Sequence, residues 1–336
     1  VGIRAGQGGC GKTTLEVQIC ASIASGFDCT FGVHQFETAG PVMAIFSEDL
    51  ADDIGRTLYH IRQGAGQEVD LSSFHIFPRS GGDPRFFVKD SGGNITTTAG
   101  FERFKKMVTE IKPVYILIDS FSVVCGPGEE LNADAAFTMA ALSDLCELGD
   151  RAAVIVLAHS TKESLKTKGA KNSSEANLDS ALDPTSIRGA SALTFNSRWA
   201  ATMTLVPAHI RKKLGCPEGT MLTAFAVRKT NYSRPLQISY LQHEVQSWAP
   251  GVETMILKPF VVDEVRELSD DDLKDSILEL FSDNQKIKKR DLLRGPEFSE
   301  QLFMSRKTRK DFVGQLIKDK KLVEVKNGKE LFLGRV

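Results

Sequence analysis

The sequence predicts an α/β fold with a mainly parallel sheet, and three observations lead to this prediction. Apolar strand-like runs alternate with helical stretches over roughly the first 250 residues, as in parallel strands joined by crossover helices. A glycine-rich loop follows the first of these strands, and an aspartate ends a later one. We therefore expect an α/β core over 1–252, a linker over 253–270 and a small domain over 271–336.

The core elements follow from local patterns. Strands are assigned to short apolar runs rich in β-branched residues, and helices to stretches with apolar residues three and four positions apart. In chain order, the strands are Val1–Ile3, Pro41–Phe46, Phe74–Phe77, Val114–Asp119, Ala152–Ala158, Arg198–Val206, Ala224–Lys229 and Leu236–Leu241. One helix begins at Thr14, and a second follows Asp49 and runs to about Arg62. Two more cover Gly100–Ile111 and Ala133–Leu148.

The glycine-rich loop has the pattern G-x-x-x-x-G-K-T. It consists of Gly6, Gln7, Gly8, Gly9, Cys10, Gly11, Lys12 and Thr13, with Thr14 opening the next helix. Glycines let consecutive backbone N–H groups surround phosphates. Lys12 adds positive charge, and the Thr13 hydroxyl suits Mg²⁺. A glycine-rich structural turn is the alternative, but the full motif between a strand and a helix favours a P-loop that binds ATP with Mg²⁺.

Composition limits the other classes of function. The chain has 336 residues, 41% of them hydrophobic, and a net charge of −1, so contacts with nucleic acid must come from local basic patches. Its six cysteines lack the spacing of zinc ligands or of a disulfide framework. We expect a cytoplasmic protein without a membrane span. Because the sequence begins at Val1 without Met, we expect that an N-terminal segment is missing or that the chain is a piece of a longer polypeptide.

Two predicted strands have a carboxylate residue at or just after their C-terminal end. Asp119 ends the Val114–Asp119 strand, a Walker B pattern in which the carboxylate holds a Mg²⁺-bound water or the hydroxyl of Thr13. An aspartate after a strand is also a common helix cap. Glu48 follows Pro41–Phe46, which we expect to neighbour the P-loop strand, so that Glu48 can act as a base towards water. The alternative is an acid stabilised by the helix dipole.

A long polar segment follows the strand that ends before His159. Residues 163–187 show no helical or strand period and are too long for an ordinary connection, which favours a mobile functional loop or disorder. Lysines in and before this segment are candidates for sequence-independent contacts with DNA phosphates. They are Lys162, Lys166, Lys168 and Lys171. Acidic residues offset this charge, so a solvated linker remains the alternative.

The motifs occur in an order that resembles a known family. After the P-loop come Ser47-Glu48-Asp49, Ile118-Asp119, Leu157-Ala158-His159-Ser160-Thr161-Lys162, Arg188-Gly189-Ala190-Ser191-Ala192-Leu193, Arg198-Trp199 and Arg228-Lys229-x-Asn231-Tyr232. This order over Val1–Leu241 looks like the RecA-type ATPases typified by the hexameric replicative helicases of plasmids, the RepA type. The resemblance implies a RecA-like core, a hexameric ring and ATP-driven movement on single-stranded DNA.

The resemblance also implies roles for residues near the P-loop. Glu48 matches the carboxylate that activates the attacking water, and Asp119 matches the aspartate of the Mg²⁺ site. His159 matches a sensor between the γ-phosphate and the DNA-binding loops. The alternative is a histidine at the end of a strand whose hydrogen bonds have only a structural role. One departure is Ala158, where the plasmid helicase has a second histidine.

Two further cations gain a role only through the resemblance. Arg198 matches the arginine finger that reaches the ATP of a neighbouring subunit, and Lys229 lies in the strand that supplies a second cation there. Without the resemblance, a surface ion pair is an equally good interpretation of Arg198.

The C-terminal domain resembles a winged helix-turn-helix. Predicted helices over Leu273–Phe281 and Ser305–Lys320 enclose an element over Ile287–Leu293, and a hairpin follows around an Asn-Gly turn at Asn327. Basic residues on the third helix and the hairpin are candidates for contacts with DNA. They are Arg306, Lys307, Arg309, Lys310 and Lys326. Winged helices also serve as protein-binding modules, which is the alternative.

These features together favour an ATP-dependent DNA helicase or translocase of a plasmid, phage or other mobile element. Its expected partners are single-stranded DNA, duplex DNA through the C-terminal domain, and copies of itself in a hexameric ring. A RecA-like ATPase that acts as a DNA-binding regulator or recombination factor without unwinding DNA is the first alternative. A loading platform that docks a primase or replication initiator is the second.

Overall fold

The computed structural model describes most of the chain. The described residues are 1–34, 36–78, 83–125, 132–149, 151–160, 178, 181–187, 191–231, 238–249, 252–262, 270–278, 280–281, 286–294, 306–327 and 330–335. They fall into two compact units. The first unit contains Val1–Thr161, Ile187–Leu205 and Thr223–Phe260, and the second contains Lys162–Ser186, Val206–Leu222 and Val261–Val336.

The first unit is built on one large sheet. The strands of this unit are β1 (Gly2–Gly6), β2 (Val42–Phe46), β3 (Phe74–Phe77), β4 (Phe87–Lys89), β5 (Ile95–Thr97), β6 (Tyr115–Asp119), β7 (Ala153–His159), β8 (Trp199–Leu205), β9 (Leu222–Thr230), β10 (Ser239–Ala249) and β11 (Val252–Phe260). Strands β4 and β5 form a separate antiparallel pair, and the other nine form the large sheet. The nine-stranded sheet has the order β11-β10-β9-β8-β1-β7-β6-β2-β3. Pairing is parallel from β8 to β3 and antiparallel between β8 and β9 and between β10 and β11. The predicted α/β class with a mainly parallel sheet is confirmed.

Helices connect these strands and cover both faces of the parallel part of the sheet. They are α1 (Lys12–Ser25), α2 (Ala51–Ala65), α3 (Ala99–Ile111), α4 (Phe121–Val124), α5 (Asn132–Leu148) and α6 (Ser191–Asn196). Alternate residues of a strand enter different cores: Ile116 and Ile118 belong to one cluster, whereas Tyr115 and Leu117 belong to the other. A strand covered on both faces needs apolar residues at every position, which explains the continuous apolar runs in the sequence.

The expected linker over 253–270 is wrong in its first part. Val252–Phe260 forms β11, which pairs antiparallel with β10. Ile256 and Leu257 are fully buried in the same core as helix α1. The side chain of Gln18 joins that helix to the strand, because its amide oxygen accepts from Leu257 N at 2.8 Å and its amide nitrogen donates to Leu257 O at 2.9 Å. The segment therefore completes the core.

The second unit contains short elements around a core of its own. The elements are a 3₁₀ turn (Pro184–Ser186), α7 (Ala208–Lys213), α8 (Asp270–Leu278), β12 (Ile287–Lys288), α9 (Lys289–Arg294), α10 (Arg306–Lys318), β13 (Leu322–Asn327) and β14 (Glu330–Arg335). The last three strands form an antiparallel sheet in the order β12-β14-β13. Leu292, Leu316 and Leu333 are fully buried in its core. The hairpin expected at Asn327 is present, with Asn327 opposite Glu330; the winged-helix assignment stays a prediction.

Candidate active site

The predicted motifs meet at one edge of the parallel sheet. Gly6 at the end of β1 lies opposite His159 at the end of β7, and Phe46 at the end of β2 lies opposite Asp119 at the end of β6. Ligands of α/β proteins bind at this carboxyl edge. One expectation is wrong: β2 is not a neighbour of β1, because β7 and β6 lie between them. The carboxylate after β2 reaches the site from the far side of β6.

The P-loop has backbone geometry that requires glycine at Gly6 and Gly11, and Gly9 also has a positive φ, of 76°. An added Cβ at Gly6 would lie 2.5 Å from the carbonyl oxygen of Met203 on β8, which no side chain tolerates. Gly11 has φ of 85° and precedes the first residue of α1, a conformation that L side chains rarely adopt. The Lys12 ammonium donates to the carbonyl oxygens of Gly6 and Gln7, both at 3.0 Å. The loop thus holds a cation beside the positive end of a helix, which suits anionic phosphates.

The remaining P-loop residues differ in exposure. Gly8 and Gly9 are exposed, and a Cβ at either would meet no atom within 4 Å. Thr14 is half-buried in the first turn of α1. Cys10 is fully buried, and burial raises the pKa of its thiol. Cys10 therefore takes part in the loop through its backbone.

Thr13 and Asp119 form a pair that fits a magnesium ion. The Thr13 hydroxyl donates to Asp119 Oδ2 at 2.6 Å. Burial raises the pKa of Asp119 to about 7; Asp49 and Glu48 add to the rise, while Thr13 and Lys12 oppose it. A buried carboxylate with acidic neighbours gains from a cation, and carboxylate and hydroxyl oxygens are ligands that Mg²⁺ prefers. Among the described residues there is no cluster of three or more His, Cys, Asp or Glu side chains of the kind that holds a metal alone.

Two serines that the sequence analysis did not identify position the candidate base. Ser120 donates its hydroxyl to Glu48 Oε1 at 2.5 Å, and His159 Nε2 lies 3.8 Å from the same oxygen. The Ser47 hydroxyl donates to the backbone oxygen of Asp119 at 2.8 Å and accepts from Ser120 N at 2.9 Å. The side chain of Glu48 is 47% exposed, so water can reach it. The only sequence signal for either serine is its place beside a motif carboxylate.

Arg198 lies at the opposite edge of the sheet. Its backbone N–H donates to the carbonyl oxygen of Val1 at 2.9 Å. The next residue, Trp199, is opposite Gly2 at the start of β1. Arg198 is exposed. The structure therefore does not bring Arg198 to the P-loop of its own chain.

Lys229 lies near Arg198 and away from the P-loop. It pairs with Ala200 on β8, and its ammonium donates to the backbone oxygens of Thr194 at 2.5 Å and Phe195 at 2.9 Å. Partial burial and the charge of Arg198 lower its pKa. Within one chain Lys229 caps the end of α6 and does not contact the nucleotide loop.

The predicted DNA-binding residues have mixed outcomes. Lys162, Lys166, Lys168 and Lys171 lie outside the described residues, as does the side chain of Arg306. Lys307 and Lys310 on α10 and Lys326 on β13 are exposed. The prediction that Arg309 contacts DNA is wrong. Arg309 is only 2% exposed, and its guanidinium donates to the backbone oxygen of Leu292 at 3.3 Å. It points into the core of the second unit and is not available to DNA.

Comparisons with known proteins give a family match over the region that contains the P-loop. Residues 1–164 match the family model of an AAA domain. No curated protein sequence matches the chain. Solved structures that match include a KaiC-like protein from the hyperthermophilic archaeon Pyrococcus horikoshii OT3, with 14% identity, coverage of 77% of this chain and 88% of that protein, and a TM-score of 0.40. In the part of the chain that the structure describes, no helix is long and apolar enough to span a membrane. The match over 1–164, the sheet and the P-loop geometry support a P-loop ATPase core.

Proposed function

We propose that the protein is an ATP-dependent DNA helicase or translocase of a mobile element, which hydrolyses ATP between the subunits of a ring. The observation that supports a shared site is the position of Arg198. The four residue steps of β1 separate Gly2, beside Arg198, from Gly6 at the P-loop, a distance of about 13 Å at about 3.3 Å per residue. An arginine at that edge cannot serve its own nucleotide, whereas an exposed arginine can serve a neighbour's.

The hydrolytic chemistry follows from the carboxyl edge of the sheet. Lys12 and the loop N–H groups bind the β- and γ-phosphates of ATP. Thr13 and Asp119 would hold Mg²⁺, which supplies positive charge to the phosphate oxygens. Glu48 accepts the proton of the attacking water, and the Ser120 hydroxyl holds the Glu48 carboxylate in place.

The DNA part of the proposal is supported by basic side chains in the second unit and by the resemblance of the motifs. Lys307, Lys310 and Lys326 are exposed, and exposed lysines suit contacts with phosphates of any sequence. The lysines predicted at 162–171 would contact single-stranded DNA. ATP hydrolysis at Glu48 would be coupled to them through His159, which ends the strand before that segment.

Mixing two inactive variants tests the shared site. Arg198→Ala should retain affinity for ATP but lose turnover by about a thousandfold, the effect of a missing arginine finger. Lys12→Ala should be inactive for lack of binding. Mixed subunits should regain activity, because an intact P-loop then sometimes faces an intact Arg198. Arg85→Ala is the matched control, since Arg85 is an exposed arginine that pairs with Asp83. An active Arg198→Ala protein, or no recovery at any mixing ratio, would refute hydrolysis in trans.

A strand-displacement assay separates the helicase from the two alternatives. The proposal requires ATP-dependent unwinding of a duplex with a single-stranded tail, and ATPase activity that rises with single-stranded DNA. DNA-stimulated ATPase activity without unwinding would favour a regulatory or recombination ATPase. ATPase activity that ignores DNA but responds to a primase or initiator would favour a loading platform.

A further inference from the structure

The antiparallel side of the sheet contacts the P-loop through a hydrogen-bonded pair far away in sequence. Thr223 at the start of β9 donates its hydroxyl to the backbone oxygen of Cys10 at 2.8 Å. His243 on β10 places Nε2 2.8 Å from the same hydroxyl. Thr223 is fully buried and His243 is 6% exposed. Neither residue belongs to a recognised nucleotide-binding motif.

The direction of these hydrogen bonds is fixed by chemistry. A carbonyl oxygen only accepts, so the single hydroxyl proton of Thr223 is directed at Cys10. His243 must then donate from Nε2–H to the hydroxyl oxygen. Burial lowers the pKa of His243 to about 4, so the ring is neutral at pH 7 and its one proton is on Nε2. The result is a one-way chain from His243 through Thr223 to the Cys10 carbonyl.

Holding this carbonyl also orients the next N–H group. The C=O and N–H of a trans peptide point in opposite directions. With the Cys10 oxygen held on Thr223, the N–H of Gly11 points away from β9. Gly11 also lies near β11, where an added Cβ would be 3.0 Å from Leu257 Cδ1. The Cys10–Gly11 peptide is therefore hydrogen-bonded to β9 and lies close to β11, two strands that follow the P-loop by more than two hundred residues.

We propose that Thr223 and His243 are positioning residues for triphosphate binding, which hold the Cys10–Gly11 peptide so that Gly11 N–H faces the phosphates. This inference rests on the proposed nucleotide binding at the P-loop. Neither side chain contacts the nucleotide. Their effect is on the affinity for the phosphates, and it should be separable from their contribution to folding.

Three variants test this role. Thr223→Val keeps the shape but removes the hydroxyl, and Thr223→Ser keeps the hydroxyl. Thr254→Val is the matched control, because Thr254 is also a buried strand threonine bonded to a histidine, with His60 Nδ1 at 3.1 Å and Trp248 Nε1 at 2.8 Å. The measurements are the dissociation constant of Mg²⁺·ATP in a Glu48→Gln background and the rise in melting temperature that Mg²⁺·ATP causes.

Thr223→Val should weaken Mg²⁺·ATP binding about tenfold, the effect expected for one lost buried hydrogen bond, and should reduce the nucleotide-induced rise in melting temperature. Thr223→Ser should restore both the affinity for Mg²⁺·ATP and the nucleotide-induced rise in melting temperature. Thr254→Val should lower the melting temperature without nucleotide but leave the dissociation constant unchanged. Equal affinity in wild type and Thr223→Val, or equal weakening in Thr254→Val, overturns the positioning role. Wild type that fails to bind Mg²⁺·ATP would instead overturn the proposed function.

Discussion

The hydroxyl of Thr13 donates to the carboxylate of Asp119 at 2.6 Å, across a sequence separation of 106 residues. This contact joins the first turn of helix α1 to the end of strand β6. It brings together the two oxygen atoms that would bind Mg²⁺. Because the carboxyl group is buried among other acids, its protonation should control the affinity for the ion.

Magnesium-dependent nucleotide binding should weaken in acid. The pKa of Asp119 is raised to about 7, so below that pH Mg²⁺ must displace a proton from the carboxyl group. We expect the affinity for Mg²⁺·ATP to fall by about tenfold per pH unit below 7. Calorimetric titration between pH 5.5 and 8 measures this, with Asp119→Asn as the control that should bind weakly and independently of pH. A pH-independent wild-type affinity would show that Asp119 is ionised throughout.

Binding and hydrolysis should be separable at the carboxyl edge of the sheet. Lys12→Ala removes the phosphate cation and should abolish measurable ATP binding. Glu48→Gln removes the base and should bind ATP normally while hydrolysing it at least a hundredfold more slowly. Equilibrium binding and single-turnover hydrolysis measure the two effects. Equal loss of binding in both variants would count against Glu48 as the base.

Cys10 should resist thiol reagents in the folded protein. It lies in the P-loop but is fully buried, and its pKa is raised by burial, so little reactive thiolate is exposed. Labelling with maleimide at pH 7, followed by mass spectrometry, should modify the partly exposed Cys146 and Cys216 first. Cys10 should react only after denaturation. Rapid labelling of Cys10 in the native protein would mean that the loop opens readily.

Buried histidines should make the first unit sensitive to acid. Burial lowers the pKa of His34 to about 3 and of His243 to about 4. Between those values and about 6.5, only the unfolded state takes up these protons, so the free energy of unfolding falls as pH falls through this window. Each histidine should lower the free energy of unfolding by about 1 kcal/mol at pH 5.5.

Urea denaturation at pH 7 and 5.5 measures this loss. The raised pKa of Asp119 acts in the opposite direction, because its carboxyl takes up a proton in the folded state first. The informative quantity is therefore the difference between wild type and His243→Gln. That variant should lose less stability on acidification than wild type, and an identical loss in both proteins would rule out the contribution of His243.

The features that could be predicted from sequence depend on local patterns. The P-loop is a continuous motif, and Asp119 ends an unbroken apolar run that is visible in the sequence. The parallel strands could be assigned for the same reason, since both of their faces are buried. Glu48 was placed at the correct edge of the sheet even though its strand was expected in the wrong position, because all parallel strands end at that edge.

The features that sequence reasoning missed depend on partners far away in the chain. Val252–Phe260 contains charged residues and a proline, and it becomes a strand because β10 pairs with it. Arg309 lies among exposed basic residues on one helix, and only the packing of that helix shows that it faces inward. Thr223 and His243 have no motif, since their role is set by the position of the Cys10 carbonyl.

The antiparallel hairpin of β10 and β11 also determines where the chain can be cut. The AAA match ends at residue 164, yet Leu257 is buried against the core of α1 and bonded to Gln18. A fragment ending near residue 164 would expose this apolar surface of α1 and leave the Gln18 amide without its partner strand. The shortest fragment that can fold as a nucleotide-binding domain must therefore extend to Phe260, and expression designs based on the family boundary alone should yield insoluble protein.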